Sequence, residues 1–209
     1  MNDHYYSADP TSEHKYQTAE WTYRGHALRF TTDAGVFSKG EVDYGTAVLL
    51  KALPENMAGR VLDLGCGWGA VGVSLGKAYP GSDIVMSDVN RRALELSEKN
   101  AKANGVSVQI VESDGLENVP GSFDYIITNP PIRAGKQVIY RLFRESGERL
   151  SEKGQLYLVI RKQQGAQSAL KYLKTVFDQA ETVEKSGGFW VIRCQGFLAE
   201  GQGGTEDDF

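Results

Sequence analysis

Arg60-Val61-Leu62-Asp63-Leu64 runs straight into Gly65-Cys66-Gly67-Trp68-Gly69, and the apolar, helically spaced stretch 70–78 follows. A short apolar run, a glycine-rich turn and an amphipathic segment, in that order, open a strand–turn–helix unit. The unit repeats outward from there. Residues 82–87 read as a second strand before a helix over 91–103, and 107–112 as a third strand before a short polar connection. Residues 123–128 form the fourth strand. A helix over 137–150, a strand over 154–160, a helix over 166–177 and two final strands over 180–184 and 189–194 complete the pattern.

Seven strands alternating with helices predict an α/β fold, a doubly wound and mostly parallel Rossmann-like sheet. The last two strands are separated only by Lys185-Ser186-Gly187-Gly188. That is too short for a parallel crossover, so the last strand is expected to run antiparallel to its neighbour.

Ahead of the first strand the pattern differs. Residues 20–23 and 27–32 flank Arg24-Gly25-His26 as a hairpin, and 42–53 reads as a helix. Residues 1–56 are therefore expected to form an extension packed on the same domain as the core, 57–199. Phe37-Ser38-Lys39-Gly40, just ahead of the helix, reads equally as a flap over a pocket or as part of a structural cap.

At 209 residues and 41% hydrophobic content the chain suits one well-packed domain. It has no apolar stretch long enough to span a bilayer, and its N-terminus lacks the basic-then-apolar order of a secretory signal. A cytoplasmic protein with no membrane association is expected. Cys66 and Cys194 are far apart and His4, His14 and His26 form no ligand spacing, so no metal is expected. The net charge of −4 sits in the tail, where Glu200, Glu206, Asp207 and Asp208 leave a neutral body behind them. Residues 200–209 read as a disordered acidic end. Neutrality argues against a broad electrostatic footprint for nucleic acid and permits a local basic patch.

In open α/β folds ligands bind outside the carboxyl ends of the strands. Those ends carry Asp63, then Asp88-Val89-Asn90, then Asp114-Gly115, then Asn129-Pro130-Pro131. Each offers acceptor oxygens and none a fixed cation. S-adenosylmethionine, with its ammonium, ribose hydroxyls, adenine amine and sulfonium, suits such a rim. A nicotinamide dinucleotide is the competitor, since Gly67-Trp68-Gly69-Ala70-Val71-Gly72 satisfies G-x-G-x-x-G and Asp88 lies 19 residues beyond Gly69. Against it, Asp63 would set a carboxylate where a pyrophosphate needs helix-terminal amides.

Asn129-Pro130-Pro131 offers an amide oxygen and carbonyls where proline has removed a donor, a site able to accept from an NH2 group. The tripeptide also serves simply to end a strand. Asp88 could cap the helix beginning near Arg91, and Asp114 could begin a turn. Arg133 and Lys136 read either as phosphate contacts or as a solvated face.

Residues 63–69, Asp88, Asp114 and Asn129-Pro130-Pro131-Ile132 resemble the motifs of the seven-stranded S-adenosylmethionine-dependent methyltransferases acting on amino or amide nitrogens. Gly35-Val36-Phe37-Ser38 with Asp43-Tyr44-Gly45-Thr46 is similar to the segment before the first strand in the ribosomal RNA small subunit methyltransferase C family, guanine-N2 enzymes. The resemblance implies transfer to the exocyclic N2 of a guanine in small-subunit ribosomal RNA, with a protein glutamine amide or another nucleobase amine as the alternative. It implies cofactor contacts from Asp63, Gly65, Cys66 and Gly67, from Asp88, Val89 and Asn90, from Asp114, Gly115 and Asn129, and from Phe37, Ser38 and Thr46. Asn129, Pro130 and Pro131 would stand at the target nitrogen. Ile132, Arg133, Phe37 and Lys136 would meet the substrate.

Two departures stand out. The family carries a second, degenerate methyltransferase-like half for which a single 209-residue domain leaves no room, so the way RNA is held stays open, as does the choice between monomer and homodimer. Ile132 occupies a position where amino-methyltransferases commonly carry an aromatic residue, and isoleucine has no π face to stack on a base. Phe37 and Tyr44 are the candidates to replace it.

Overall fold

The computed structural model describes residues 13–36 and 40–199. A hairpin comes first, β1 (Gln17–Tyr23) and β2 (His26–Thr32), turning through Arg24 and Gly25 at φ of 46° and 81°. Two left-handed residues in a two-residue loop match the twist of the strands they join. Helix α1 (Tyr44–Ala52) follows. The alternating part runs β3 (Arg60–Leu64), α2 (Ala70–Ala78), β4 (Asp83–Asp88), α3 (Arg91–Ala103), β5 (Gln109–Glu112), β6 (Phe123–Thr128), α4 (Lys136–Arg149), β7 (Leu150–Arg161), α5 (Ala166–Val176), β8 (Phe177–Ser186) and β9 (Phe189–Phe197). Among the described residues no helix is long and apolar enough to cross a membrane.

The seven strands lie in the order β5-β4-β3-β6-β7-β9-β8. All pairings from β5 to β7 are parallel, and β9 is antiparallel to both β7 and β8. The doubly wound sheet with an antiparallel last strand therefore forms as expected. Its last strand, however, inserts between β7 and β8 and leaves β8 at the edge. The strand order reverses at β3 and β6, whose carboxyl ends sit side by side at the centre of the rim.

Strand alternation divides the core into two layers. Val61 and Ile127 face one cluster with the hairpin, α1, α2 and α3, whereas Leu62, Leu64 and Ile126 face the other with α4 and α5. Ala19, Leu28 and Phe30 of the hairpin belong to the first cluster, so the hairpin buries its apolar face on the sheet's own core. Its backbone is tied down as well. Asn100 of α3 accepts from the Thr31 amide at 2.7 Å and donates to the Thr31 carbonyl at 2.9 Å, and Asn104 does the same at Arg29. Asn100 also donates to the Trp68 carbonyl in the glycine turn, at 2.8 Å.

Element limits differ from expectation where a residue's usual role is overridden. Gly154 reads as the first residue of a strand, yet it lies inside β7, four residues past its start, beside the irregular pairing at Phe123 and Tyr125. A Cβ there would stand 2.7 Å from the Phe123 carbonyl oxygen, so glycine lets β7 pass the bulge. Helix α5 ends at Val176 because Phe177 already adopts extended backbone and opens β8. The third parallel strand begins at Gln109 rather than at Ser107.

Candidate active site

A cavity of about 510 Å³ opens along the rim, with the ends of β3 and β6 at its centre. The turn after β3 takes positive φ at Gly65, Gly67 and Gly69, 73°, 55° and 92°. A Cβ on Gly65 or Gly67 would meet nothing within 4 Å, so these two glycines serve backbone conformation and leave the face of the turn open. The amides of Gly65 and Cys66 both donate to the Ser87 carbonyl at 2.9 Å, which fastens the turn to β4.

Two acids line this part of the cavity. Asp63 is 2% exposed and accepts from the Gly72 amide at 2.8 Å. Burial pushes its carboxyl up to about 7, and the neighbouring Asp88 adds to the rise against the opposing Gly72 hydrogen bond. Burial also raises Asp88, although its carboxylate accepts from the amides of Gly67 and Asn90, both at 2.9 Å. Helix α3 is capped by Asn90, which accepts from the Ala93 amide at 3.1 Å, so Asp88 is not the cap. Asp88 lines the cavity, and a carboxylate has acceptor capacity beyond these backbone hydrogen bonds. Asn90 also donates to the Gly35 carbonyl at 3.2 Å, tying the segment before α1 to the cavity wall.

Cys66, Val89, Gly115 and Thr46 line the cavity too. Burial raises the Cys66 thiol well above its ordinary value, which makes it a neutral packing group. Asp114 is not part of the cavity lining. Its carboxylate meets the Arg141 guanidinium at 2.6 Å, and the cavity wall is formed there by Ser113 and Gly115 on either side. Lys136 likewise stands away from the lining, its ammonium 5.1 Å from the centre of the Tyr140 ring. Phe37 and Ser38 lie outside the described residues; Gly35 and Val36 before them line the cavity.

Asn129, Pro130, Pro131, Ile132 and Arg133 form the opposite wall. The Asn129 side chain is held by a partner without an assigned role in the sequence reading. Asp43 caps α1 by accepting from the amides of Gly45 and Thr46 at 3.0 and 3.3 Å. The Thr46 hydroxyl donates to the same carboxylate. The Asn129 amide nitrogen then donates to Thr46 Oγ1 at 3.1 Å and points at both Asp43 oxygens at 3.5 Å. With its NH2 end so engaged, the amide is fixed in orientation and its oxygen is left as a free acceptor. An aspartate before a helix is a recognisable cap. Its reach to a residue 86 positions away is not visible in a linear pattern.

Arg161, Gln164 and Phe189 complete the lining. Arg161 ends β7, Gln164 lies in the single 3-10 turn after it and Phe189 opens β9, and register pairs Arg161 with Phe189. A strand limit at residue 160 stops one residue short of Arg161, the position to which the rim rule points at the end of the fifth strand.

The donor set fits S-adenosylmethionine. Two raised, partly compensated carboxylates seek positive charge and hydroxyl donors, and an open glycine turn gives a close approach. A dinucleotide pyrophosphate at the glycine turn would face the Asp63 carboxylate.

Fold and site define a Rossmann-like S-adenosylmethionine-dependent methyltransferase. The chain belongs to the methyltransferase small domain family, whose model matches residues 27–193. It is 43% identical over 199 residues to the uncharacterized protein YbxB of Bacillus subtilis (strain 168), covering 93% of this chain and 99% of that one. It is 34% identical over 174 residues to the ribosomal RNA small subunit methyltransferase C of Pseudomonas entomophila (strain L48), covering 80% of this chain and 51% of that protein. Among solved structures, the T. thermophilus 16S rRNA N2 G1207 methyltransferase in complex with AdoMet and guanosine superposes with a TM-score of 0.79 at 27% identity, over 90% of this chain and 52% of that one. The chain thus spans about half the length of the curated relatives that carry the methyltransferase C name.

Proposed function

We propose that this protein transfers a methyl group from S-adenosylmethionine to the exocyclic N2 of a guanine in small-subunit ribosomal RNA. The observation that carries the proposal is the Asn129 amide, turned by Thr46 and Asp43 so that its oxygen is free in the cavity that Asp63 and Asp88 line. Held there, S-adenosylmethionine supplies an electrophilic methyl on a sulfonium. Asp63 is the acceptor for an ammonium, Asp88 for ribose hydroxyls.

An exocyclic amine is a poor nucleophile while its lone pair is delocalised into the ring. Asn129 Oδ1 and the Pro130 carbonyl can each accept one N–H, drawing the nitrogen toward a tetrahedral shape and aiming the lone pair at the donor. No strong base is needed, and the proton leaves to solvent after transfer. Thr128 Oγ1 donates to the Leu64 carbonyl at 2.8 Å, locking the end of β6 to the end of β3 and so fixing the acceptor pair relative to the glycine turn.

An RNA acceptor is supported by how charge divides along one rim. The ends of β3, β4 and β5 carry Asp63, Asp88 and Asp114, with Arg91 and Arg92 after Asp88 paired to Glu112 and Asp33, whereas the stretches after β6 and β7 and the end of β8 carry Arg133, Lys136, Arg161, Lys162 and Lys185 with Glu184 as the acid among them. A neutral body thus has a local basic lip beside the acceptor pair, suited to phosphates flanking a target nucleotide. The names of the curated relatives and of the T. thermophilus structure point to the same substrate class.

Incubation of the protein with labelled S-adenosylmethionine and either total RNA or total protein tests the reading. Label is expected in RNA, at N2-methylguanine after nucleoside digestion. Label in glutamine instead would assign the same acceptor pair to a protein amide.

A further inference from the structure

We propose that Phe189, backed by Tyr44, is the wall on which the acceptor base stacks, in the place left without a π face by Ile132. The inference rests on the nucleobase reading above and deepens it. Ile132 and Phe189 both line the cavity, and Phe189 is only partly buried, so part of its ring is free. Tyr44 and Arg161 both pack against the ring. Tyr44 packs against it at a centroid distance of 5.9 Å, and the Tyr44 hydroxyl is anchored on Ser186 Oγ at 2.8 Å. The Arg161 guanidinium lies 5.7 Å from the ring centre.

Two glycines make room for this pair. A Cβ on Gly45 would stand 2.8 Å from Phe189 Cε1, and one on Gly187, at φ 54°, would stand 2.3 Å from Tyr44 Cε1. The position that a Gly45 Cβ would occupy is also 3.1 Å from Asp43 Oδ1, the carboxylate that faces the Asn129 amide. The aromatic wall therefore stands beside the group that orients the acceptor pair, where a base offering its amine to Asn129 can lay its face. Arg161 and Gln164 line the same stretch and offer donors to the edge of the base away from that amine.

The test compares Phe189→Leu with Phe189→Tyr in the full chain, reading kcat/KM for RNA and the affinity for adenosylhomocysteine. Stacking predicts a loss of roughly 10- to 100-fold for leucine, retention within about threefold for tyrosine, and unchanged adenosylhomocysteine affinity in both. A leucine variant within twofold of wild type, alongside wild-type RNA methylation, overturns the inference alone. Absence of RNA methylation by the wild type overturns the proposed function, and with it the base reading. Should the leucine variant fail to fold, guanosine titrated into the adenosylhomocysteine-saturated wild type with 13C-labelled phenylalanine rings decides. An upfield shift of the Phe189 resonance, assigned through Phe189→Tyr, supports stacking, and an unmoved resonance at saturation overturns it.

Discussion

Thr46→Val separates orientation of the acceptor amide from everything else the site does. Valine keeps the shape of a side chain that is 5% exposed but removes the hydroxyl that accepts from Asn129 Nδ2 at 3.1 Å and donates to Asp43. The Asn129 amide is then left with the two 3.5 Å approaches to Asp43, at the outer limit of a hydrogen bond. One neutral hydrogen bond is worth about 0.5–1.5 kcal/mol, which is roughly a 2- to 12-fold loss in transfer rate when it is felt in the transition state. Since the Thr46 hydroxyl is engaged by Asp43 and Asn129, affinity for adenosylhomocysteine should stay within about threefold. Single-turnover transfer of labelled methyl to RNA measures the rate, and calorimetric titration the affinity. The decisive comparison is Thr46→Val in an Asn129→Ala background. A residue acting through Asn129 has nothing further to lose there, whereas independent effects would add. Additive losses in the double variant would refute the orientation argument.

Three further outcomes follow from other parts of the structure. With Asp63 raised to about 7 against an ordinary 3.8, its proton favours the folded, ligand-free state: that stabilisation is complete below about 3.8 and is lost as pH rises through about 7. A cationic ligand needs the carboxylate, so adenosylhomocysteine affinity should fall up to tenfold per pH unit below about 7 with proton release on binding; calorimetry in buffers of different ionisation enthalpy, giving pH-independent affinity, would contradict this, and Asp63→Asn should flatten the profile. Arg133→Gln and Lys162→Gln should each reduce the slope of log affinity for single-stranded RNA against log salt by about 0.7, as measured by fluorescence anisotropy across a salt series, and unchanged slopes would remove them from the RNA surface. Gly154→Ala forces a Cβ to within 2.7 Å of the Phe123 carbonyl and should cost about 1–3 kcal/mol in urea unfolding while leaving adenosylhomocysteine affinity intact.

What the linear chain discloses follows the range of the forces involved. Strands such as 60–64 and 123–128, and the turn between 64 and 70, are local patterns, because apolar runs and glycine conformations act within a few residues. The place of β9 between β7 and β8 is not local, and a short connection constrains only its direction. The acids at the carboxyl ends of β3 and β4 are legible from the rim rule, and both line the cavity. Asp114 obeys the same rule but turns to Arg141, 27 residues on, while its neighbours Ser113 and Gly115 form the wall. Whether a strand-end acid faces a ligand or a neighbouring helix depends on one side-chain torsion and a partner far along the chain. Phe189 was hidden for a similar reason: its importance comes from Gly45 and Gly187, which clear space for rings that no sequence spacing brings together.

The N-terminal elements are more than a cover for the sheet. Helix α1 packs Val48, Leu49 and Leu50 into the core, and its first turn carries out the polar work of the acceptor wall. The same Asp43 carboxylate that satisfies the free amides of that turn receives the Thr46 hydroxyl and faces the Asn129 amide. The missing Cβ of Gly45, one position inside the helix, admits the Phe189 ring. Helix start, Asn129 orientation and the pair of Tyr44 and Phe189 are thus one structural unit, so a substitution that frays α1 perturbs that side of the cavity before it reaches Asp63 and Asp88, the carboxylates proposed to hold the donor. In the proposed enzyme, weakening this cap must lower transfer ahead of donor affinity. The two halves of the rim accordingly have separate foundations: the donor half on the glycine turn and β4, the acceptor half on the first turn of a helix that precedes the sheet in sequence.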